Sequence, residues 1–89
     1  MFAVIFKAKV KKLDKEFFET AERLRKIAFE EYGCLGMKSE TKDGIETTIS
    51  YWPSVEHIKR WKQNPEHLKA QKQASKWYES YEVRIEERE

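Results

Sequence analysis

One cysteine, three glycines, two prolines and no long apolar run are all that this 89-residue chain offers of those features, and each scarcity excludes something. A single thiol, Cys34, forms no internal disulfide and no thiolate cluster, which fits a reducing, cytoplasmic setting. The glycines, Gly33, Gly36 and Gly44, are too scattered to cradle a phosphate, so no nucleotide cofactor is indicated. The lone cysteine gives no Cys-x-x-Cys, and the two histidines, His57 and His67, match no ligand spacing; no metal is expected. No stretch approaches a membrane span, and the apolar start is too short and too early for a signal peptide. Charge of one sign is also missing. Eighteen Lys+Arg against sixteen Asp+Glu leave no dominant basic face to track phosphates, which argues against nucleic acid.

What is present is aromatic and charged. Aromatic residues make up 13% of the chain, far from the composition of disorder, so large side chains carry a folded core. A monomer of this size buries only about 60% of the surface of its unfolded chain, so a chain this polar gains much from a partner. No linker or repeat divides it, and residues 1–89 are expected to form one domain.

Phe2 to Val10 reads as a strand, with Phe2, Val4, Phe6, Ala8 and Val10 on one face and Ala3, Ile5, Lys7 and Lys9 on the other. Near its start both faces are apolar, so both need cover. From Leu13 the spacing becomes helical, through Phe17, Ala21, Leu24 and Ala28, with Asp14 as N-cap and Gly33 as the stop. Strands Cys34–Thr41 and Ile45–Trp52 flank Asp43-Gly44, a pair suited to a tight hairpin. Pro53 ends the pairing, and Ser54 caps a short helix from Val55 to about Lys62, with Val55, Ile58 and Trp61 as its buried stripe. Asn64-Pro65-Glu66 opens a further helix. A strand from Trp77 to about Ile85 and a charged tail, Glu86 to Glu89, close the chain. This β-α-β-β-α(α)-β order predicts an α+β fold, ferredoxin-like, with an antiparallel sheet and helices on one face. The first strand is central in that plan, and a second copy packed sheet to sheet is the simplest cover for its other face.

The chemistry concentrates between Lys59 and Trp77. His67, Ala70, Gln71 and Ala74 share one side of the last helix, and a stripe so small and polar suggests a cavity wall, with Trp61 as another wall. The plainer alternative, that His67 and Gln71 satisfy backbone groups or face water, stays open.

The segment from Ile49 through Tyr51-Trp52-Pro53-Ser54, His57, Trp61 and Asn64-Pro65-Glu66-His67 to Ala70-Gln71, continuing from Trp77 to Arg84, resembles the antibiotic biosynthesis monooxygenase family. The N-terminal half agrees in pattern only. The resemblance implies a dimeric α+β barrel, a homodimer through facing sheets, with a pocket between sheet and helices in each subunit. It also implies oxygenation of a small aromatic or quinone-like molecule without metal or flavin, where the substrate's own anion reduces oxygen. Carried over, Trp61 is a pocket wall and His67 a proton acceptor or hydrogen-bond partner, while Asn64 and Gln71 are polar positioners and Tyr51 and Tyr81 further substrate contacts. Another branch of the family degrades haem with a Trp, a helix His and a strand Asn. Trp61 matches it, but Phe6 and Gln71 stand about where the Asn and His are expected; with His67 able to bind haem from another angle, a haem-binding or haem-degrading protein is kept as a minor alternative. The fold also serves non-catalytic dimers that bind small molecules or act as scaffolds, which is the alternative of a different class.

Overall fold

The computed structural model describes residues 1–88; Glu89, the end of the expected charged tail, lies outside them. The elements run β1 (Phe2–Val10), α1 (Lys15–Glu31), β2 (Gly36–Lys42), β3 (Ile45–Trp52), α2 (Val55–Lys62), α3 (Pro65–Trp77) and β4 (Tyr78–Glu87). All strands pair antiparallel in the order β2-β3-β1-β4, so the two-faced strand β1 is central as its composition requires. This is the expected ferredoxin-like α+β arrangement.

Local signals account for most boundaries. The Asp14 carboxylate accepts from the Phe17 N–H and starts α1. Gly33 follows α1 with φ of +77°, which lets the Cys34 N–H return to the Ala28 carbonyl. Asp43 and Gly44 both have positive φ, 53° and 78°, as a two-residue hairpin turn requires.

Four expectations change, the first being that the last strand runs on through Glu86 and Glu87, which pair with Ala3 and Phe2 and do not form a tail. The last strand begins at Tyr78, not Trp77: the indole belongs to α3, where it packs one turn from Ala74 and its Nε1 donates to Asp14 at 3.2 Å. The hairpin's first strand starts at Gly36, because the backbone of Cys34 is still engaged with α1. Val55, the first residue of α2, is 37% exposed and leaves the buried stripe to Ile58 and Trp61.

The registers place Phe2, Val4, Phe6 and Ala8 of β1, Glu46, Ser50 and Trp52 of β3, and Tyr81, Val83 and Ile85 of β4 on one side. That side carries the helices. They bury two separate clusters against it: Ala8, Phe17, Ala74, Trp77 and Tyr78 at one end, and Ala28, Cys34, Trp52, Ile58 and Trp61 at the other. Trp52 and Ile58 are wholly buried, each worth about 2–3 kcal/mol of hydrophobic stabilisation. The opposite face, with Ile5, Ile49 and Tyr51 at its centre, has no helix on it and leaves these three residues half-buried.

Candidate functional site

Two short helices meeting at a tight corner make the site. Ser54 caps α2 by accepting from the His57 N–H, and its hydroxyl lies 2.7 Å from His57 Nδ1. At the other end of α2 the Asn64 N–H returns to the Trp61 carbonyl at 3.1 Å, and the chain enters α3 at once. Asn64 has φ of -61° and ψ of 131°, the extended conformation that a residue before proline favours. Its side-chain Oδ1 accepts from the N–H groups of Glu66 (2.9 Å) and His67 (3.2 Å), while Nδ2 donates to the Tyr32 hydroxyl at 2.9 Å. Both ends of the amide are therefore occupied inside the protein.

This corner lays the His67 ring flat on Trp61, centroids 4.7 Å apart and planes 13° from parallel. Trp61 in turn stacks on Trp52 at 6.0 Å, and Tyr32 leans on it at 5.3 Å. Trp52 is itself fixed, since its Nε1 donates to Ser50 on the same strand. The result is a pillar of three rings, indole, indole and imidazole, rising from the sheet to the start of α3.

His67 Nδ1 at the top of the pillar is buried and, among the described residues, has no hydrogen-bond partner. Burial pushes the imidazole pKa below its ordinary value; the Trp61 carbonyl opposes this in part, and Lys62 adds to it. A neutral imidazole with an unpartnered buried nitrogen can accept a proton or a hydrogen bond. Native proteins seldom leave such an atom unmatched, because the loss costs about 1–3 kcal/mol.

The other expected residues disperse. Gln71 lies on α3 one turn beyond His67 and is exposed. Tyr81 is on the helix-facing side of β4, its ring 5.6 Å from Phe6. Tyr51 is on the opposite face of the sheet, with the Arg88 guanidinium 5.9 Å from its ring. Phe6 is half-buried against Tyr78 and Tyr81. Trp61, His67 and Asn64 therefore form one unit, and the two tyrosines lie on different sides of the sheet.

Two grooves mark the surface. One of about 290 Å³ runs between α1 and α3, past Glu16, Thr20, Arg23, Glu66, Lys69 and Gln73. The second, about 180 Å³, is bounded by Glu31, Tyr32, Gly33, His57 and Arg60. Neither is lined by Trp61 or His67. Among the described residues no group of three or more His, Cys, Asp and Glu could hold a metal ion, and no helix is long and apolar enough to cross a membrane.

Two features were missed by sequence reasoning. Trp52 completes the pillar, a placement that depends on β3 register. The Tyr78 hydroxyl donates to the buried Glu46 carboxylate at 2.9 Å, and desolvation pushes the Glu46 pKa up. The sequence carries one part of the signal, since Glu46 alternates in phase with Ser50 and Trp52, but the partners of both residues depend on pairing between distant strands.

The comparisons with known proteins agree with this architecture. The sequence model of the family described as monooxygenase af470-like matches residues 2–87. The uncharacterised protein YqjZ of Bacillus subtilis (strain 168) is 42% identical over 86 residues, covering 94% of this chain and 75% of its own length. Among solved structures, a variant of SnoaB, a cofactor-independent oxygenase from Streptomyces nogalater, superposes with a TM-score of 0.82 at 14% identity, covering 98% of this chain and 91% of that one. An antibiotic biosynthesis monooxygenase structure gives 0.78 at 14% identity, covering 100% and 99%. The structural likenesses are likenesses of fold.

Proposed function

Because the chain belongs to the monooxygenase af470-like family, we propose that it is a cofactor-independent monooxygenase acting on a small, flat aromatic or quinone-like molecule. SnoaB, of the same fold, is named a cofactor-independent oxygenase, which supports carrying that reaction type here. The observation that carries the reading is the unpartnered, buried Nδ1 of His67, clamped on Trp61.

In this reading the substrate lies against the aromatic pillar, and His67 takes a proton from an acidified C–H or O–H, leaving a carbanion or phenolate. That anion reduces dioxygen directly. One oxygen atom becomes a ring carbonyl; the two hydrogens lost, both from a ring methylene or one from a ring C–H and one from a phenolic O–H, leave with the other oxygen atom as water. A dry surface favours the step, since burial keeps His67 neutral before the transfer. Trp61 is the wall, Asn64 holds the His67 backbone in place, and Gln71, one turn beyond His67, contacts the substrate from the exposed side. The reading includes a homodimer in which the open sheet faces meet, supported by the half-buried Ile5, Ile49 and Tyr51.

The test is oxygen uptake with a panel of hydroquinones and polyphenols. His67→Ala is expected to abolish turnover while leaving the circular dichroism spectrum and melting cooperative. Equal loss of folding assigns His67 a structural role instead. A second reading, a non-catalytic small-molecule-binding or scaffold dimer, is favoured by the close filling around Trp61, which is 7% exposed and packed by Trp52 and Ile58. It predicts no uptake with any member of the panel.

A further inference from the structure

The smaller of the two surface grooves lies outside the His67 site and carries unpaired charge. It is bounded by Glu31, Tyr32 and Gly33 at the C-terminus of α1 and by His57 and Arg60 of α2, and encloses about 180 Å³. Gly33 opens it: a Cβ at this position would lie 3.0 Å from His57 Cδ2 and 3.4 Å from Nε2, so the missing side chain leaves that edge of the imidazole uncovered. Ser54 sets the tautomer from the other edge. Its oxygen already accepts from the His57 N–H, so its own hydrogen serves Nδ1 at 2.7 Å, and the ring proton belongs to Nε2. His57 thus presents a donor on the Gly33 side. Among the described residues neither Glu31 nor Arg60 takes part in an ion pair, whereas in the larger groove Arg23 is tied to Glu66 at 3.2 Å and Glu16 to Lys76 at 3.5 Å.

We propose that this groove binds a small zwitterion, the ammonium and carboxylate head of an α-amino acid. Arg60 and the Nε2–H of His57 take the carboxylate through charge-assisted hydrogen bonds, and Glu31 takes the ammonium. The helix ends run the same way, since α1 finishes here with its negative end and α2 begins here with its positive one. Glu31 repels a plain anion and Arg60 a plain cation, so the pair selects a ligand that carries both charges. The volume admits such a head and little more, which leaves the amino acid's side chain outside. One wall is shared with the His67 corner: the Tyr32 ring leans on Trp61 and its hydroxyl accepts from Asn64. The site is independent of the oxygenation reading.

Titration of the full, nitrogen-15-labelled chain with glycine, followed through the amide and imidazole signals, tests the site. Glycine should shift Gly33 and His57 saturably. Acetate and methylamine, each with only one of the two charges, should bind at least about tenfold more weakly. Arg60→Gln and Glu31→Gln should each weaken glycine by at least about tenfold. Both side chains are exposed, so these variants keep the fold, which their circular dichroism spectra check. Four results each overturn the proposal: no saturable shift with glycine up to about 100 mM, saturable shifts confined to residues away from the groove, acetate or methylamine binding as tightly as glycine, or glycine binding at wild-type strength in either variant.

Discussion

Replacing Asn64 by Ala removes two functions from one side chain, and the structure gives a magnitude for each. Loss of the cap leaves the Glu66 and His67 N–H groups at the start of α3 without their acceptor, which costs about 1 kcal/mol. Loss of the amide donor strands the part-buried Tyr32 hydroxyl for about another 1 kcal/mol. The sum, about 2 kcal/mol, corresponds to a melting temperature lowered by about 10 °C in a domain this small. Asn64→Ser should recover the cap but not the tie to Tyr32, and so fall about halfway. Tyr32→Phe should cost the second increment alone, and in a double-mutant cycle with Asn64→Ala the coupling should be about 1 kcal/mol. Urea unfolding followed by Trp fluorescence reads all four proteins, and the same signal reports the stack, because Trp61 carries the His67 ring. If Asn64→Ala lies within about 0.5 kcal/mol of wild type, or if Asn64→Ser equals it, the corner is not held as described.

Two further outcomes depend on titration. The His67 pKa is depressed in the folded chain, so the unfolded state binds the proton more readily; the stabilising contribution of the neutral ring is complete above the unfolded value of 6.5 and is lost as pH falls through the folded one. Urea midpoints measured from pH 8 down to pH 5 should therefore decline with a component that His67→Phe removes, and an unchanged slope in that variant would contradict the assignment. For Glu46 the sign is opposite: its pKa is raised, so its contribution is complete below the unfolded value of 4.5 and is lost as pH rises through the folded one. At neutral pH Tyr78→Phe should cost about 1–3 kcal/mol by leaving that carboxylate without its donor, whereas Glu46→Gln should cost less and flatten the pH dependence; equal losses in the two variants would sink this account.

The helix starts and the hairpin turn were legible because each rests on neighbours in sequence: Asp14 and Asn64 cap helices that begin one residue later, and Asp43-Gly44 supplies its own dihedrals. Trp61 and His67 were legible for the same reason, being joined by a single tight corner. What was not legible depends on register between distant strands. Trp52 reaches the pillar only because it sits opposite Phe2, and Tyr78 meets Glu46 only because a register shift between Lys9 and Val10 brings Tyr78 beside β1. The family resemblance implied Asn64 as a polar positioner, while its amide is used by backbone groups two and three residues away and by a hydroxyl at the far end of α1. The family resemblance also offered Tyr51 and Tyr81 as substrate contacts together, and pairing sets them on opposite sides of the sheet.

The unpartnered nitrogen of His67 is what separates a site from a scaffold. A scaffold gains nothing from it: a phenyl ring stacks on Trp61 as well as an imidazole does and leaves no buried acceptor, so His67→Phe should stabilise the chain at neutral pH by up to about 1 kcal/mol. Retaining a residue that lowers stability is expected where the residue does chemistry, since stability and activity then pull against each other. The pair of measurements is decisive in a way that neither is alone. More stability together with lost oxygen uptake places the acceptor in the reaction. More stability with binding and turnover unchanged returns His67 to the core and leaves the fold as a scaffold. Less stability means that Nδ1 is satisfied in solution, and the argument from the orphaned nitrogen fails at its first step.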